Sequence, residues 1–226
     1  MSYQMIGILG AMPDEIEHIN AQLQNRTTEK IGGVEFHCGN FAAKNVVLCC
    51  AGMGKANAAA ATQLLATHFH CDAVIFSGIA GNMTDKISVG DVVIGETLLY
   101  HDAHCRMIAE SYPHRQIFEG DADLIAAAKA ACEANGVRYL VGKIATGDDF
   151  VGDGATKAAI VAKCAPDCVE MEGAAVAHIA AKNDVPCVVL RAMSDDANEN
   201  AHETLFDISA YCTTAAKICI SMLKKI

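Results

Sequence analysis

Long apolar stretches and basic residues are both scarce in this chain of 226 residues. No run of about 18 or more apolar residues is free of charge, so a membrane-spanning segment is not expected. The 17 lysines and arginines stand against 27 aspartates and glutamates, which gives a net charge of −10. Because binding to nucleic acid requires a basic surface, we expect no nucleic-acid partner. Tryptophan is absent, yet the 52% hydrophobic content is enough for a substantial core.

Sequence motifs for common cofactors and metals are also missing. The 11 cysteines include no CxxC pair, and several lie in apolar segments, where a thiol acts as a small core hydrophobe. His101, His104 and Cys105 do not match the spacing of a standard zinc module. Residues 7–12 do not match GxGxxG, and the spacing around Lys55 does not match a phosphate-binding loop. We therefore expect a reduced, cytoplasmic protein without a cofactor or a metal.

Apolar strand-like segments alternate with helical patterns along most of the chain. With no repeat and no Pro/Ser-rich linker, this alternation predicts a single α/β domain over residues 1–226, a three-layer α/β/α sandwich with a central mixed sheet. The first segment runs directly into Pro13, which favours a buried strand over a signal peptide. The predicted strands are Met5–Leu9, Lys30–His37, Asn45–Cys50, Ala73–Ser77, Gly90–Leu99, Val137–Thr146, Cys168–Glu172 and Val185–Ala192. The predicted helices are Pro13–Leu23, Lys55–His68, Asp121–Asn135, Ala174–Lys182 and Glu203–Lys224.

Glycine and polar residues cluster where the predicted strands end. In open α/β sheets, ligands bind at the carboxyl ends of the strands. Glycines at these positions let backbone N–H groups approach a ligand closely. We therefore expect one ligand site to be formed by residues 10–12, 51–54, 78–82, 146–150, 170–172 and 194–196.

Two carboxylates flank one methionine in residues 168–175, CVEMEGAA. Alternation along an extended segment places Glu170 and Glu172 on the same side of the backbone. Two glutamates on one face at a strand-to-helix junction suit a site that grips vicinal hydroxyls, although a solvated strand end is the alternative interpretation. Arg191 lies in a predicted buried strand, where its charge requires a partner, and Glu172 is a candidate.

Glu15 and Asp195 are two further acids near the ends of predicted strands. Glu15 lies in the first turn of a helix, where the helix dipole favours a carboxylate. It is either an ordinary N-terminal acid or a general base that activates water. A partly desolvated acid at the position of Asp195 can hold a raised pKa and donate a proton. The alternative for Asp195 is a cap or turn role, and Asp196 is adjacent.

Taken together, these motifs resemble the bacterial 5′-methylthioadenosine/S-adenosylhomocysteine nucleosidases, within the purine nucleoside phosphorylase/uridine phosphorylase superfamily. They occur in the family's order and extend over nearly the whole chain. The segments that carry the resemblance are residues 8–12 with Glu15, 52–55, 77–81, 89–93, 100–103, 146–150, 169–172 and 191–195.

The resemblance implies irreversible hydrolysis of an N-ribosidic bond, with release of adenine from a 5′-thio-substituted adenosine. Asp195, supported by Ser194, would donate a proton to adenine N7, and Glu15 would activate the attacking water. Glu172 would hold the ribose hydroxyls and stabilise the oxocarbenium charge. The further substrate-binding residues implied are Phe150 stacked on adenine, Val151 at its edge, Met171 under the ribose, Met12, Met53 and Phe206 around the 5′ substituent, and Ile79, Ala80, Gly81, Glu170 and Arg191.

Several functional alternatives stay open. A phosphorylase would need arginines around a phosphate, whereas the first loop offers Glu15 with no nearby arginine, which favours water as the nucleophile. A non-catalytic relative would be expected to lack one of the three acids, all of which are present. Residues 106–121 lack the Gly-Gln-Pro-Gly-like loop of typical members, which leaves methylthioadenosine, S-adenosylhomocysteine, 5′-deoxyadenosine and futalosine-type substrates possible. The resemblance also implies a homodimer and a role in methionine salvage.

Overall fold

A ten-stranded mixed sheet forms the centre of the protein in the computed structural model, which describes residues 3–204 and 208–226. Phe206 lies outside these residues. The strands are β1 Met5–Gly10, β2 Gln24–Ile31, β3 Val34–Phe41, β4 Lys44–Cys50, β5 Ala73–Asn82, β6 Val92–Tyr100, β7 Phe118–Glu119, β8 Tyr139–Thr146, β9 Cys168–Glu170 and β10 Cys187–Asp195. The helices are α1 Pro13–Asn20, α2 Lys55–Thr67, α3 Cys105–Ile108, α4 Ala122–Ala134, α5 Gly154–Cys164, α6 Gly173–Lys182, α7 Ala201–Thr204 and α8 Ser209–Leu223.

The predicted α/β class and mixed sheet are confirmed, and the sheet has an additional feature. Strands β10, β6, β8, β9 and β5 pair in that order, and β5 also pairs with β10, so five strands close into a ring. From β5 the sheet continues through β1, β4 and β3 to the edge strand β2. The ring brings the ends of β5, β9 and β10 close together.

Apolar side chains on both faces of the sheet are covered by helices. Leu9 and Phe76 belong to a core that includes buried alanines of α2 and α6. Their chain neighbours Ile8 and Ile75 point to the opposite face and pack with α1, α4 and α8. Because both faces are buried, these strands are apolar along almost their whole length, which explains why their sequences were recognisable. Among the described residues, no helix is long and apolar enough to cross a membrane.

The predicted elements differ from the structure in several places, and the short elements α3 and β7 were not predicted. The strand predicted over Lys30–His37 crosses the turn between β2 and β3 and so joins the ends of two strands. The rest of β2 was not predicted, because its side chains are exposed along nearly its whole length and show no apolar alternation. The predictions also contain no helix at α5, although Asp153 caps it by accepting from the Thr156 N–H. Residues 78–81 continue β5 rather than ending it. The terminal helix predicted over residues 203–224 is described as two helices, α7 and α8.

Candidate active site

A cleft lies where β1, β4, β5, β8, β9 and β10 end. The lining combines apolar side chains with a few acids and one hydroxyl. Its residues are Ala11, Met12, Glu15, Met53, Ile79, Ala80, Gly81, Phe150, Val169, Glu170, Met171, Glu172, Ser194 and Asp195.

Arg191 lies fully buried beneath one end of the cleft, where three glutamates surround its guanidinium. Nη2 donates to Glu170 and lies 3.4 Å from Glu172 Oε2, and Nη1 lies 3.8 Å from Glu15 Oε1. The guanidinium also stacks 3.9 Å from the centre of the Phe76 ring. Since arginine stays charged in proteins, one positive charge is shared among three acids. The predicted pairing of Arg191 with Glu172 is therefore part of a larger cluster.

Glu15 is held in place by the backbone at the start of α1 and by β5. Oε2 accepts from the N–H groups of Ala11 and Met12 at 2.6 and 3.0 Å, and Oε1 accepts from the Ile79 N–H at 3.0 Å. Burial raises the pKa of Glu15 above its ordinary value, while Arg191 and the three N–H donors oppose that rise. Gly78 is required beside this group, because a Cβ there would overlap Arg191 Nη1 and Glu15 Oε1.

Glu170 and Glu172 both accept from Arg191 Nη2, although β9 ends at Glu170 and Glu172 precedes α6, and the two carboxylates make different numbers of hydrogen bonds. Glu170 accepts from the Thr146 hydroxyl, from Arg191 and from the N–H groups of Glu172 and Gly173. Glu172 accepts from the Gly54 N–H at 2.7 Å and from Arg191. A carboxylate offers about four acceptor positions. The Glu170 carboxylate is therefore fully occupied, whereas Glu172 keeps two positions for a ligand.

The acids around Arg191 outnumber the positive charge. Burial raises the pKa of Glu172, and the nearby Glu170 and Glu15 raise it further, while Arg191 and the Gly54 N–H oppose the rise. None of the described residues that line the cleft is a lysine or an arginine. This end of the cleft therefore favours a neutral or cationic group and disfavours a phosphate.

Asp195 occupies the other end of the cleft, at the end of β10. Oδ2 accepts from the Ser194 hydroxyl at 2.7 Å, and Oδ1 accepts from the Ala197 N–H at 2.8 Å. The side chain of Asp196 is exposed and accepts from Asn82 at 3.1 Å instead. Of the two neighbouring aspartates, Asp195 is the one that lines the cleft.

Apolar groups form the remaining walls. Phe150 is 40% exposed, and its ring centre lies 5.0 Å from that of His202. Val151 lines a narrower recess that shares Gly81, Phe150 and Asp195 with the cleft. Met53 stands at the rim, 62% exposed. A flat ring at one end and thioethers elsewhere suit a ligand with a planar base and an apolar substituent.

The structure brings nearly all of the predicted site residues together. Arg191 contacts the acids from below rather than lining the cleft, and Val151 lies in the adjoining recess. Phe206 lies outside the described residues. Ala11 and Thr146 fall within the predicted site segments, although no individual role was predicted for them. Val169 also lines the cleft and lies outside those segments, and an apolar strand residue carries no functional signal of its own.

Two alternative site interpretations can be compared with the geometry. The Lys55 ammonium is bound to Asp102 at 2.7 Å and to Asp148 at 3.1 Å, so its charge is already paired with carboxylates. In the part of the chain that the structure describes, no three His, Cys, Asp or Glu side chains are grouped so that they could hold a metal.

Comparisons with known proteins agree with this geometry. Residues 5–226 match the family model of the phosphorylase superfamily. The 5′-methylthioadenosine/S-adenosylhomocysteine nucleosidase of Shewanella sediminis is 37% identical over 202 residues, which are 87% of this chain and 88% of that protein. The Neisseria meningitidis nucleosidase of the same name, in complex with methylthio-immucillin-A, has a TM-score of 0.94 at 32% identity and covers 99% of this chain and 100% of its own. Futalosine hydrolase of Helicobacter pylori has a TM-score of 0.92 at 30% identity, with 99% of this chain and 98% of its own covered. The chain therefore belongs to the 5′-methylthioadenosine/S-adenosylhomocysteine nucleosidase family of the phosphorylase superfamily, a family of N-glycosyl hydrolases.

Proposed function

We propose that this enzyme hydrolyses the N-ribosidic bond of 5′-methylthioadenosine and S-adenosylhomocysteine, releasing adenine and the corresponding 5-thioribose. One observation carries the proposal: Glu15, Glu172 and Asp195 face a single cleft whose described lining has no cationic side chain. Such a cleft suits a neutral nucleoside, water as the nucleophile and a transition state in which positive charge develops on the sugar.

Glu15 serves as the general base in this proposal. Three backbone N–H groups occupy three of its roughly four acceptor positions, which leaves one for a water molecule. Because burial raises its pKa, the ionised carboxylate is a stronger base than an exposed glutamate. General-base catalysis of this kind contributes about 10²–10⁴-fold to the rate.

Glu172 binds the ribose. Its two unoccupied acceptor positions match two vicinal hydroxyls, which donate to it. The excess of carboxylate over guanidinium charge around Arg191 stabilises the oxocarbenium-like sugar as the bond to the base breaks. Glu170 has no acceptor position left and acts by holding Arg191 and the start of α6 in place.

Asp195 is the general acid. Its proton passes to adenine N7, so the electrons of the C1′–N9 bond remain on a neutral leaving group. At the same time water oxygen bonds to C1′ and its proton passes to Glu15. Ser194 and the Ala197 N–H orient the Asp195 carboxyl, and Phe150 stacks on the purine.

A second candidate activity is hydrolysis of a futalosine-type nucleoside. It is favoured by the structural similarity to the Helicobacter pylori futalosine hydrolase, whose TM-score of 0.92 is close to that of the Neisseria meningitidis nucleosidase. The same three acids would serve either substrate, and the 5′ end of the cleft would select between them. 5′-Deoxyadenosine is a further candidate on the same grounds.

We also propose that the enzyme is a cytoplasmic homodimer that serves methionine salvage. The support is the family membership and the methionine-containing apolar rim around Met53, which is 62% exposed in the single chain. Light scattering on the purified protein is expected to give twice the mass of one chain. A mass of one chain would contradict the dimer.

Adenine release from 5′-methylthioadenosine, measured by chromatography with and without phosphate, tests the proposed function. S-adenosylhomocysteine, 5′-deoxyadenosine, inosine and a futalosine-type nucleoside are run in parallel. We expect adenine and a free 5-thioribose at a rate that phosphate does not change. Release that requires phosphate, or a sugar 1-phosphate product, would contradict hydrolysis. Turnover of only the futalosine-type nucleoside would replace the first proposal with the second.

A further inference from the structure

Lys55, Asp102 and Asp148 form an ion-paired cluster outside the cleft, which we name the Lys55 clasp. Lys55 Nζ lies 2.8 and 2.7 Å from the two carboxyl oxygens of Asp102 and 3.1 Å from Asp148 Oδ2. The Asp148 N–H donates to Asp102 Oδ2 at 2.8 Å, which closes the cluster. None of its three residues lines the cleft.

The clasp joins three chain segments that are distant in sequence. Lys55 is the first residue of α2, Asp102 follows β6, and Asp148 follows β8. The side chains of Lys55 and Asp102 are 21% and 29% exposed, so the pair is partly shielded from solvent. Asp148 is 65% exposed, so the Lys55–Asp102 pair is the shielded part of the clasp and Asp148 joins it through a second contact to Lys55 and through its own N–H.

Each end of the clasp adjoins a group that faces the substrate. Gly54, next to Lys55, donates its N–H to Glu172 at 2.7 Å. Phe150, two residues from Asp148, lines the cleft. Gly54 has φ +94°, a conformation that favours glycine, and it joins the cleft to α2: its N–H donates to Glu172 and its carbonyl accepts from the Ala58 N–H at 3.2 Å.

We propose that Lys55 is a positioning residue for catalysis: by binding Asp102 and Asp148 it sets the distance between the Gly54 N–H, which orients Glu172, and the Phe150 wall. The inference rests on the proposed function only for its kinetic consequence. Its structural consequence, ordered Gly54 and Asp148 amides, holds in the free protein whatever the substrate.

The kinetic test compares Lys55→Met with the wild type in adenine release from 5′-methylthioadenosine. We expect kcat to fall about tenfold, because a misplaced Glu172 stabilises the transition state less. KM is expected to change less than kcat, and Lys55→Arg should restore most of the rate by keeping the cation. Adding Asp102→Asn to Lys55→Met should cause little further loss, since the two changes remove the same contact.

Lys86→Met is the matched control, because Lys86 pairs with Asp167 at 2.9 Å and neither residue lines the cleft. We expect the control to keep wild-type kcat, and the melting temperatures of both variants are measured so that a loss of rate can be compared with any loss of stability. Wild-type kcat in Lys55→Met, or equal kinetic losses in both variants, would overturn the proposal.

Hydrogen exchange in the absence of nucleoside separates failure of this inference from failure of the proposed function. We expect the Gly54 and Asp148 amides to exchange faster in Lys55→Met than in the wild type or in Lys86→Met. Unchanged exchange at both amides would overturn the clasp even if the enzyme releases adenine. A wild type that releases no adenine would refute the proposed function, while faster exchange would still support the clasp.

Discussion

The two ends of the cleft hold their acids in different ways. At the Arg191 end, Glu15, Glu170 and Glu172 share one buried guanidinium, so a change in any one charge affects the other two. At the Asp195 end, the carboxyl is held by the Ser194 hydroxyl and the Ala197 N–H, and no ion pair to Asp195 occurs within the described ranges 3–204 and 208–226. The Arg191 end therefore holds three electrostatically coupled acids, whereas the Asp195 end holds one acid whose hydrogen-bond donors are uncharged.

This difference has a consequence for mutagenesis. Substitutions within the coupled end should be strongly non-additive, because they redistribute one positive charge among the acids that remain. When one substitution at the Arg191 end is combined with one at the Asp195 end, their effects on the free energy of unfolding should be closer to additive. Variants at each end of the cleft test this difference.

The Asp195→Asn variant should show the largest loss of activity, a fall in kcat of about 10³-fold, because the amide cannot protonate the leaving group. The amide oxygen still accepts from Ser194 or Ala197, so the melting temperature and adenine binding should stay close to those of the wild type. Asp196→Asn is the matched control, and we expect it to change kcat less than about twofold. If the two variants exchange these outcomes in the adenine-release assay, Asp196 is the acid.

The Glu15→Gln variant should lower kcat about 10²-fold or more through loss of the base. The neutral amide in this variant no longer competes for Arg191. The fall in kcat/KM caused by Glu172→Gln should therefore differ between the Glu15→Gln and wild-type backgrounds. A double-mutant cycle on kcat/KM measures this coupling, and the Glu15–Asp195 pair provides the comparison across the cleft. If Glu172→Gln lowers kcat/KM by the same factor in both backgrounds, the three glutamates do not share the charge of Arg191 as described.

The Phe150→Ala variant should weaken substrate binding at the Asp195 end without affecting the acids. Stacking of a base on an aromatic ring is worth about 1–3 kcal/mol, so KM and the adenine Kd should rise roughly tenfold. Phe150→Leu keeps an apolar contact with the base, so its KM and adenine Kd should lie between those of the wild type and Phe150→Ala. Titration calorimetry with adenine checks the effect, and an unchanged Kd in Phe150→Ala would show that the ring does not contact the base.

The smallest expected effect is on stability against pH at the Arg191 end. Burial raises the pKa of Glu15 above 4.5, so the folded state binds this proton more tightly than the unfolded state does. The stability from this group is therefore fully present below about pH 4.5 and is lost as the pH rises through the raised folded pKa. Relative to Glu15→Gln, the wild-type free energy of unfolding should fall by about 1.4 kcal/mol for each unit of pKa shift.

Urea unfolding at several pH values measures this difference. Glu17→Gln, an exposed acid of the same helix, is the control for removal of one carboxylate. A wild-type free energy of unfolding that rises with pH relative to Glu15→Gln would contradict the sign.

Much of the fold could be predicted because its strands are buried on both faces. Ile8–Leu9 and Ile75–Phe76 supply side chains to two different cores, so their segments are continuously apolar and easily recognised. Strand β2 pairs only with β3 and is exposed, so nothing in its own sequence required a strand. Its conformation depends on β3, and a contact between segments cannot be read from local pattern.

The candidate active site likewise has features that the local sequence predicts and features that depend on contacts between distant segments. The spacing of Glu170 and Glu172 was enough to predict that both would face one site. That Glu170 is saturated by Thr146, Arg191 and two backbone N–H groups while Glu172 retains free acceptor positions depends on elements distant in sequence. The choice of Asp195 over Asp196 likewise depends on how β10 pairs with β5 at its end.

By itself, the sequence determined which residues can do chemistry and where each stands along its own strand or helix, because side-chain type and backbone periodicity are local properties. The tertiary structure alone decided which of those acids keep unused acceptor positions facing the cleft and which share Arg191. A carboxylate's reactivity depends on the donors and charges around it, and at this site those come from β5, α2 and β10, which only the folded chain brings together.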